Sequence, residues 1–411
     1  MNSYPTPLVP PMLLTHCTVA SSLGAGLPAH LTALRAHVCG LAPCSFDTVD
    51  LRTWTGAVAG VDAVQLSEPL AAYDCRNNRL AELGLRQDEF VEAVESAVAR
   101  YGAPRVGVFV GTSTSGILQT ELAYHRLDER GALPSDFRYA ETHNTFSLCA
   151  YVRARFGLRG PAAVVSSACS SSANVFASAQ RLLALGAIDC ALVGGVDSLC
   201  LTTLYGFKSL ELLSALPCRP FDAQRSGLSL GEAAAFALLE RAPRDVPNDA
   251  VVLLGVGQSS DAYHMSSPHP DGLGARLAMQ RALDQAGLVA ADINYINLHG
   301  TATRVNDSAE GRAVGRLFGA GVPCSSTKGA TGHTLGAAGG LEAVLSVLAL
   351  RHGFMPASVG TAALDPDIAE AGPLDYLLEL RNAPPQRVMS NSFGFGGTNC
   401  SLILGLAGDR A

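Results

Sequence analysis

The sequence predicts an α/β fold built from two repeated halves, and three observations carry that prediction. Short apolar runs of strand length alternate with longer segments whose apolar residues recur at helical spacing, the pattern of a mixed sheet covered on its faces. At 411 residues, 48% hydrophobic and 16% charged, the chain is long enough for two or three domain-sized units with large cores. The third observation is internal repetition. VGVFVGTSTSG (106–116) echoes INLHGTATR (296–304), each a strand ending in G-T-x-T. AVVSSACSSSANVFASAQRLLAL (163–185) echoes VPCSSTKGATGHTLGAAGGLEAVLSVLAL (322–350), each a strand, a turn of small residues and a long apolar helix. The charge- and proline-rich stretch RAPRDVPND (241–249) divides the halves, which gives units 1–245 and 246–411.

In order, 13–20 reads as an opening strand, followed by a glycine turn at 24–26 and a helix near 27–38. Helices are expected over 74–83 and 87–100, the second closed by Gly102 and Pro104. A buried strand at 105–110 ends in the small-residue loop 111–116, and helices follow near 118–130 and 144–156. After strand 163–165 and the helix that starts at about Ser171 come strand 190–193, the Pro/Gly-rich loop 218–231 and strand 233–239. The second half opens with strand 251–256 and a polar loop, 259–272. A helix near 276–285, strand 295–298, helix 308–317 and strand 323–325 follow. A tight turn at 328–333, an apolar helix near 340–350, and strands 387–390 and 400–404 complete the chain.

Net charge is −7 and no basic run occurs, which argues against nucleic acid as the main ligand. The 11 cysteines are scattered, odd in number and lack C-x-x-C pairs. That pattern fits a reduced, cytoplasmic protein better than a disulfide framework. Residues 1–11 bear prolines and no basic region followed by an apolar core, and no apolar run approaches membrane-spanning length.

Chemistry is concentrated at strand-to-helix junctions, where ligands gather in α/β sheets. Cys169 sits at the apex of one such turn, just before a helix N-terminus, where unpaired N–H groups and the helix dipole favour thiolate over thiol. The local geometry is that of a nucleophile elbow, although G-x-S-x-G is absent. Taken singly, such a cysteine is more often a small core residue, and His299 and His333 are equally structural histidines. Cys169, His299, Lys328 and His333 all lie at strand-to-helix junctions and together form a constellation.

ACSSSAN, GGVDS, CRPFDAQRSGLSLGE, SSDAYHMSSPHPDG, NLHGTATRVNDSAE, STKGATGHTLGAAGGLEA and NSFGFGGTN, in that order, resemble the successive signatures of the β-ketoacyl-acyl-carrier-protein synthases. More narrowly, they resemble the elongating condensing enzymes with a Cys-His-His site. The resemblance implies the thiolase fold, with duplicated α/β halves in a layered α-β-α-β-α arrangement, and a decarboxylative Claisen condensation. Cys169 matches the nucleophile that accepts an acyl group. His299 and His333 match the pair that hydrogen-bonds the malonyl thioester as an enolate forms. The backbone N–H groups of Cys169 and Phe395 match the oxyanion hole, and Phe395 with Phe393 the gate. Lys328 matches a lysine beside the site, Glu310 the acid that pairs with it, and Thr301 and Thr303 the hydroxyls that hold a pantetheine arm.

The family also implies no bound cofactor and no metal, because phosphopantetheine arrives on an acyl carrier protein. It implies a homodimer, or a heterodimer with a ketosynthase-like chain-length subunit, with no nucleic-acid or membrane partner. Arg126, Arg130 and Lys208 are candidates for a basic patch facing the acidic carrier; the same residues also suit a solvated helix face. The loop 259–272 matches a mobile loop beside the gate, in which His264 reads as structural. Serines after Cys169, Ser226 in place of an acid and a missing glycine pair in the opening strand depart from the pattern. They point to a specialised branch such as polyene or polyketide synthesis, aryl polyenes among them.

Other readings fit less well. A Cys-His-Asn enzyme is disfavoured by His333 in GATGHT, and a thiolase by the GGTNCS context of Cys400. A non-catalytic chain-length partner is disfavoured by the presence of Cys169. A cysteine hydrolase would want an orienting Asp or Asn, and zinc on Cys169 and the histidines would suppress the nucleophile and lacks the usual ligand spacing.

Overall fold

The computed structural model describes residues 9–46, 49–243 and 245–409, so most of the proline-bearing N-terminal stretch lies outside the described residues. The N-terminal half contributes strands Met12–Ser21, Val106–Gly111, Ala162–Val165, Cys190–Asp197 and Ala233–Arg241. The C-terminal half contributes Val251–Ser260, Tyr295–Asn297, Pro323–Ser325, Arg387–Phe393 and Thr398–Leu406. Across the sheet each set lies in the order third, second, fourth, fifth, first. In each set the second strand runs parallel to the third and fourth, and the fifth runs antiparallel to its neighbours. The two first strands join the halves through antiparallel pairs Met12 with Leu253 and Leu13 with Val252. The repetition legible in the sequence is a repetition of topology.

Even the irregularities repeat. Both first strands carry a register shift, between Leu14 and His16 and between Leu253 and Gly255. A bulge inserts one residue and swaps the facing side chains. Inward positions therefore run Met12, Leu14, then Cys17, Val19 in one strand and Val251, Leu253, then Val256 in the other.

Five layers follow from period-two alternation along the strands. Ala235, Ala237 and Leu239 face a central core, while Ala234, Phe236 and Leu238 face an outer one. The central core is filled by two helices, Ser171–Ala184 through Val175, Phe176, Ala179 and Leu183, and Ala338–His352 through Leu341, Val344, Leu345 and Leu348. Helices Arg76–Leu85, Phe90–Tyr101 and Ser147–Phe156 cover the outer face of the N-terminal half. Leu273–Ala286 and Arg304–Phe318 cover that of the C-terminal half. This is the α-β-α-β-α arrangement of the thiolase fold.

The central helices approach so closely that a Cβ on Gly339 would stand 2.7 Å from both the Cβ and the backbone nitrogen of Ala173. Both helices therefore start at the molecular centre, beside the reactive turns that precede them. Two short helices escaped the sequence pattern, Leu201–Ser209 and Pro366–Ala371. The first has only Leu204 fully buried, so it shows little apolar periodicity.

Candidate active site

Cys169 lies in a single turn, Ala168–Ser170, between strand Ala162–Val165 and helix Ser171–Ala184. Ala168 holds φ 50°, a left-handed conformation that a non-glycine residue adopts at a cost of order 1–3 kcal/mol. The bend presents Cys169 to the C-terminal half, where His299 follows strand Tyr295–Asn297 and His333 follows the short helix Lys328–Thr331. One ligating atom from each of Cys169, His299 and His333 lies within 4.8 Å of the others, and all three residues are buried. The imidazole centroids are 5.3 Å apart with perpendicular planes.

The partners of the two rings fix their tautomers. Leu335 N–H donates to His333 Nδ1 at 3.3 Å, so the proton of that ring is on Nε2. Lys328 Nζ stands 3.4 Å from His299 Nδ1, and an ammonium can only donate, so His299 also carries its proton on Nε2. Burial first, then the positive charge of Lys328, holds both imidazoles well below their ordinary range, with His333 adding to the effect on His299. Two neutral N–H donors thus converge beside a thiol. The trio has metal-ligand geometry, but protonated Nε2 atoms and a neighbouring ammonium oppose a cation there.

Lys328 uses all three donors: His299 O at 2.5 Å, His299 Nδ1, and the carboxylate of Glu342 from the central helix. The acid paired with Lys328 is therefore Glu342, not Glu310 as the resemblance implied. Glu310 instead accepts N–H of His299 and of Gly300, each at 2.8 Å, and Asn391 Nδ2 at 3.3 Å. Its oxygens are filled by the backbone they brace, which leaves the ammonium to the carboxylate that descends from the opposite helix. Burial raises both acids, Glu310 to about 7, against the pull of their donors.

The expected thiolate is also corrected. Burial pushes the Cys169 thiol up to about 11, and Lys328 and the Phe395 N–H offset only part of that. Desolvation of a fully enclosed sulfur outweighs the helix end.

Comparison with known proteins bears on this constellation. The profile of the "Beta-ketoacyl synthase, N-terminal domain" family matches residues 78–245, and that of the "Beta-ketoacyl synthase, C-terminal domain" matches 250–362. The 3-oxoacyl-[acyl-carrier-protein] synthase 2 of Rhizobium meliloti (strain 1021) is 38% identical over 72% of this chain and 73% of its own. That of Coxiella burnetii is 32% identical over 96% and 98%. The chain belongs to the β-ketoacyl synthase family. Among solved structures, a ketosynthase (ApeO) in complex with its chain length factor (ApeC) from Xenorhabdus doucetiae superposes with TM-score 0.88. It is 37% identical and covers 99% of this chain and 100% of that one. As a β-ketoacyl synthase of the elongating kind, the protein is a condensing acyltransferase.

A cavity of about 450 Å³ opens onto the synthase's Cys169, His299 and His333. Thr301 and Thr303 line it, their hydroxyls 2.8 Å apart, with Arg304 exposed beside them. Phe395 is half-buried and its ring lies 5.8 Å from that of Phe207, on the helix the sequence pattern missed. Phe393 is a buried wall, 5.9 Å from the His299 ring. The Phe395 N–H points at Cys169, and the loop around it is tied to 259–272 by Gly396 N to Met265 O at 2.7 Å and Asp261 N to Gly397 O at 2.9 Å. His264 is exposed and accepts Ser266 N–H, away from the trio. Of the basic candidates, Lys208 adjoins Phe207 at the cavity, Arg130 is exposed, and Arg126 is paired with Asp136 at 2.9 Å.

Glu342 and Phe207 are the site residues that sequence reasoning missed. A signal existed for the first: Glu342 is the only charged residue in the largely apolar AGGLEAVLSVLAL, 338–350. A lone carboxylate in a helix buried all round demands a partner.

Proposed function

We propose that Cys169 takes the growing acyl chain from an acyl-carrier thioester and joins it to a malonyl unit that decarboxylates against His299 and His333. In the first step the sulfur of Cys169 attacks the thioester carbonyl, its proton leaves with the carrier thiol, and the N–H groups of Phe395 and Cys169 face the oxyanion. In the second, the malonyl C–C bond breaks, carbon dioxide leaves, and the electron pair moves onto the thioester oxygen between two Nε2–H donors. The enolate carbon then attacks the acyl carbonyl, the C–S bond to Cys169 breaks, and the thiolate that leaves takes a proton from solvent water. The pair of converging neutral N–H donors is the observation that carries this reading. Removing one such donor commonly costs about 2.7–4 kcal/mol of transition-state stabilisation.

Phosphopantetheine on the carrier is the only prosthetic group in this scheme, with Thr301 and Thr303 receiving it and Lys208 and Arg304 at the acidic carrier's approach. The catalytic unit pairs with a chain-length subunit of the same fold, a reading supported by the 37% identity to the ketosynthase–chain length factor complex. A polyene or polyketide product suits that assembly. Eleven free cysteines suit the reducing cytoplasm. No helix among the described residues is long and apolar enough to cross a membrane.

Intact-mass spectrometry with acyl-carrier thioesters, beside Cys169→Ala, tests the assignment. A mass gain equal to the acyl group that vanishes in the variant is expected. Absence of any adduct, alone and with a co-expressed chain-length subunit, would remove the reading.

A further inference from the structure

The G-T-x-T repeat has a role in the C-terminal half, where His299, Gly300 and Thr301 are braced by Glu310 and Asp307. Among the described residues its N-terminal copy, Gly111–Thr114, makes its side-chain-mediated hydrogen bonds to Asp197 and within the loop, and the mechanism above leaves it unused. It surrounds one fully buried carboxylate, Asp197, at the end of strand Cys190–Asp197. Asp197 Oδ1 accepts Thr112 Oγ1 at 2.7 Å, Ser113 N at 2.8 Å, Thr114 N at 2.9 Å and Thr114 Oγ1 at 2.8 Å. Its Oδ2 accepts the Ser113 hydroxyl and, from the other half of the molecule, Gly336 N at 2.6 Å.

The Gly336 bond links this cluster to the site. Gly336 directly follows Leu335, whose N–H fixes the His333 tautomer and which holds φ 51°. The fit is tight: a Cβ on Gly336 would stand 2.7 Å from both Asp197 Oδ2 and Ser113 N. The backbone of His333 is held by its N to Ser229 O at 2.8 Å and its O from Gly231 N at 3.0 Å. Neither bond reports on which ring nitrogen is protonated. That information comes through Leu335, whose left-handed conformation is held in place by the anchored Gly336 that follows it.

We infer that Asp197 is a positioning residue for condensation: through Gly336 it holds the Leu335 amide against His333 Nδ1 and so keeps the Nε2–H aimed at the malonyl oxygen. The inference rests on the reading of His333 as an enolate donor. It assigns the GTSTSG loop a function, that of a socket whose hydroxyls and amides orient the carboxylate. A neutral amide cannot replace it, because either orientation of an Asn side chain turns an NH₂ toward a backbone N–H, of Thr114 or of Gly336. Asp197 also helps to hold the Cys169 thiol up, so loss of its charge does not slow acylation by that route.

The test separates the two half-reactions in the full-length protein with its carrier. In Asp197→Asn, malonyl-carrier decarboxylation is expected to fall at least about tenfold, as misplacing a catalytic group by an ångström does, while Cys169 acylation stays within about twofold. The ring-nitrogen NMR signals of His333, assigned by their loss in His333→Ala, should shift from the Nε2–H pattern toward a mixture. If Asp197→Asn does not fold, Ser113→Ala combined with Thr114→Val weakens the same socket and should lower the decarboxylation-to-acylation ratio in the same direction. An unchanged ratio with an unchanged His333 pattern, or equal loss of both half-reactions, overturns the inference. A wild-type protein that neither loads nor decarboxylates would instead overturn the parent reading, so the two failures are distinguishable.

Discussion

At the scale of residues, two titrations carry the chemistry. With its thiol raised to about 11, Cys169 rests protonated at neutral pH, and its reactivity depends on losing that proton as the carrier thiol departs. Alkylation by iodoacetamide should therefore keep accelerating with pH beyond the ordinary thiol range. In Lys328→Met, which removes a charge that lowers the thiol, it should be slower at any given pH. A rate that levels off below about pH 8.5, the free-cysteine value, would contradict this. The histidines shift the other way. Their folded-state values lie well below 6.5, so protons bind them in the unfolded chain first. Stability they contribute is present above 6.5 and declines as pH falls through that value. The urea midpoint should accordingly drop between about pH 7.5 and 5, and decarboxylation should show no inflection near the histidine reference of about 6.5. An inflection there would mean that the imidazoles titrate as exposed groups.

At the scale of elements, the reactive turns are held by the helices that leave them. The crossing of Ser171–Ala184 with Ala338–His352 depends on Gly339 facing Ala173, and neither backbone can retreat without moving Cys169 or Glu342. Gly339→Ala should lower stability by about 1–3 kcal/mol, the usual range for overpacking, read as a lower denaturant midpoint at unchanged slope. It should also slow acylation of Cys169, because the added methyl presses on the turn that follows the thiol. Full activity in a destabilised variant would show that the crossing serves stability alone.

The halves are fused more deeply than a linker at 241–249 suggests. The central core takes Phe109, Phe176 and Val193 from one half and Leu341, Val344 and Leu402 from the other, and the first strands continue the sheet across the boundary. Neither half can keep its inner face dry alone. Chemical denaturation followed by circular dichroism and by Cys169 accessibility should give one coincident transition. Two resolved transitions would mean that each half holds a core of its own.

Much of this was legible in the chain itself. The repeat, the position of nearly every strand, and the placing of Cys169, His299, His333 and Lys328 at strand ends all follow from local pattern, because apolar periodicity and small-residue turns are set by neighbours in sequence. Helix Leu201–Ser209 was not legible, since it packs Phe207 against Phe395 across a remote loop and buries too little to show a period. What only the tertiary structure decided is partnership and charge state. Whether Lys328 meets Glu310 or Glu342, and whether Cys169 is a thiol or a thiolate, depends on which groups converge from remote segments and on how much water they exclude. The sequence determined where the reactive groups sit along each half; bringing the halves face to face determined what those groups are.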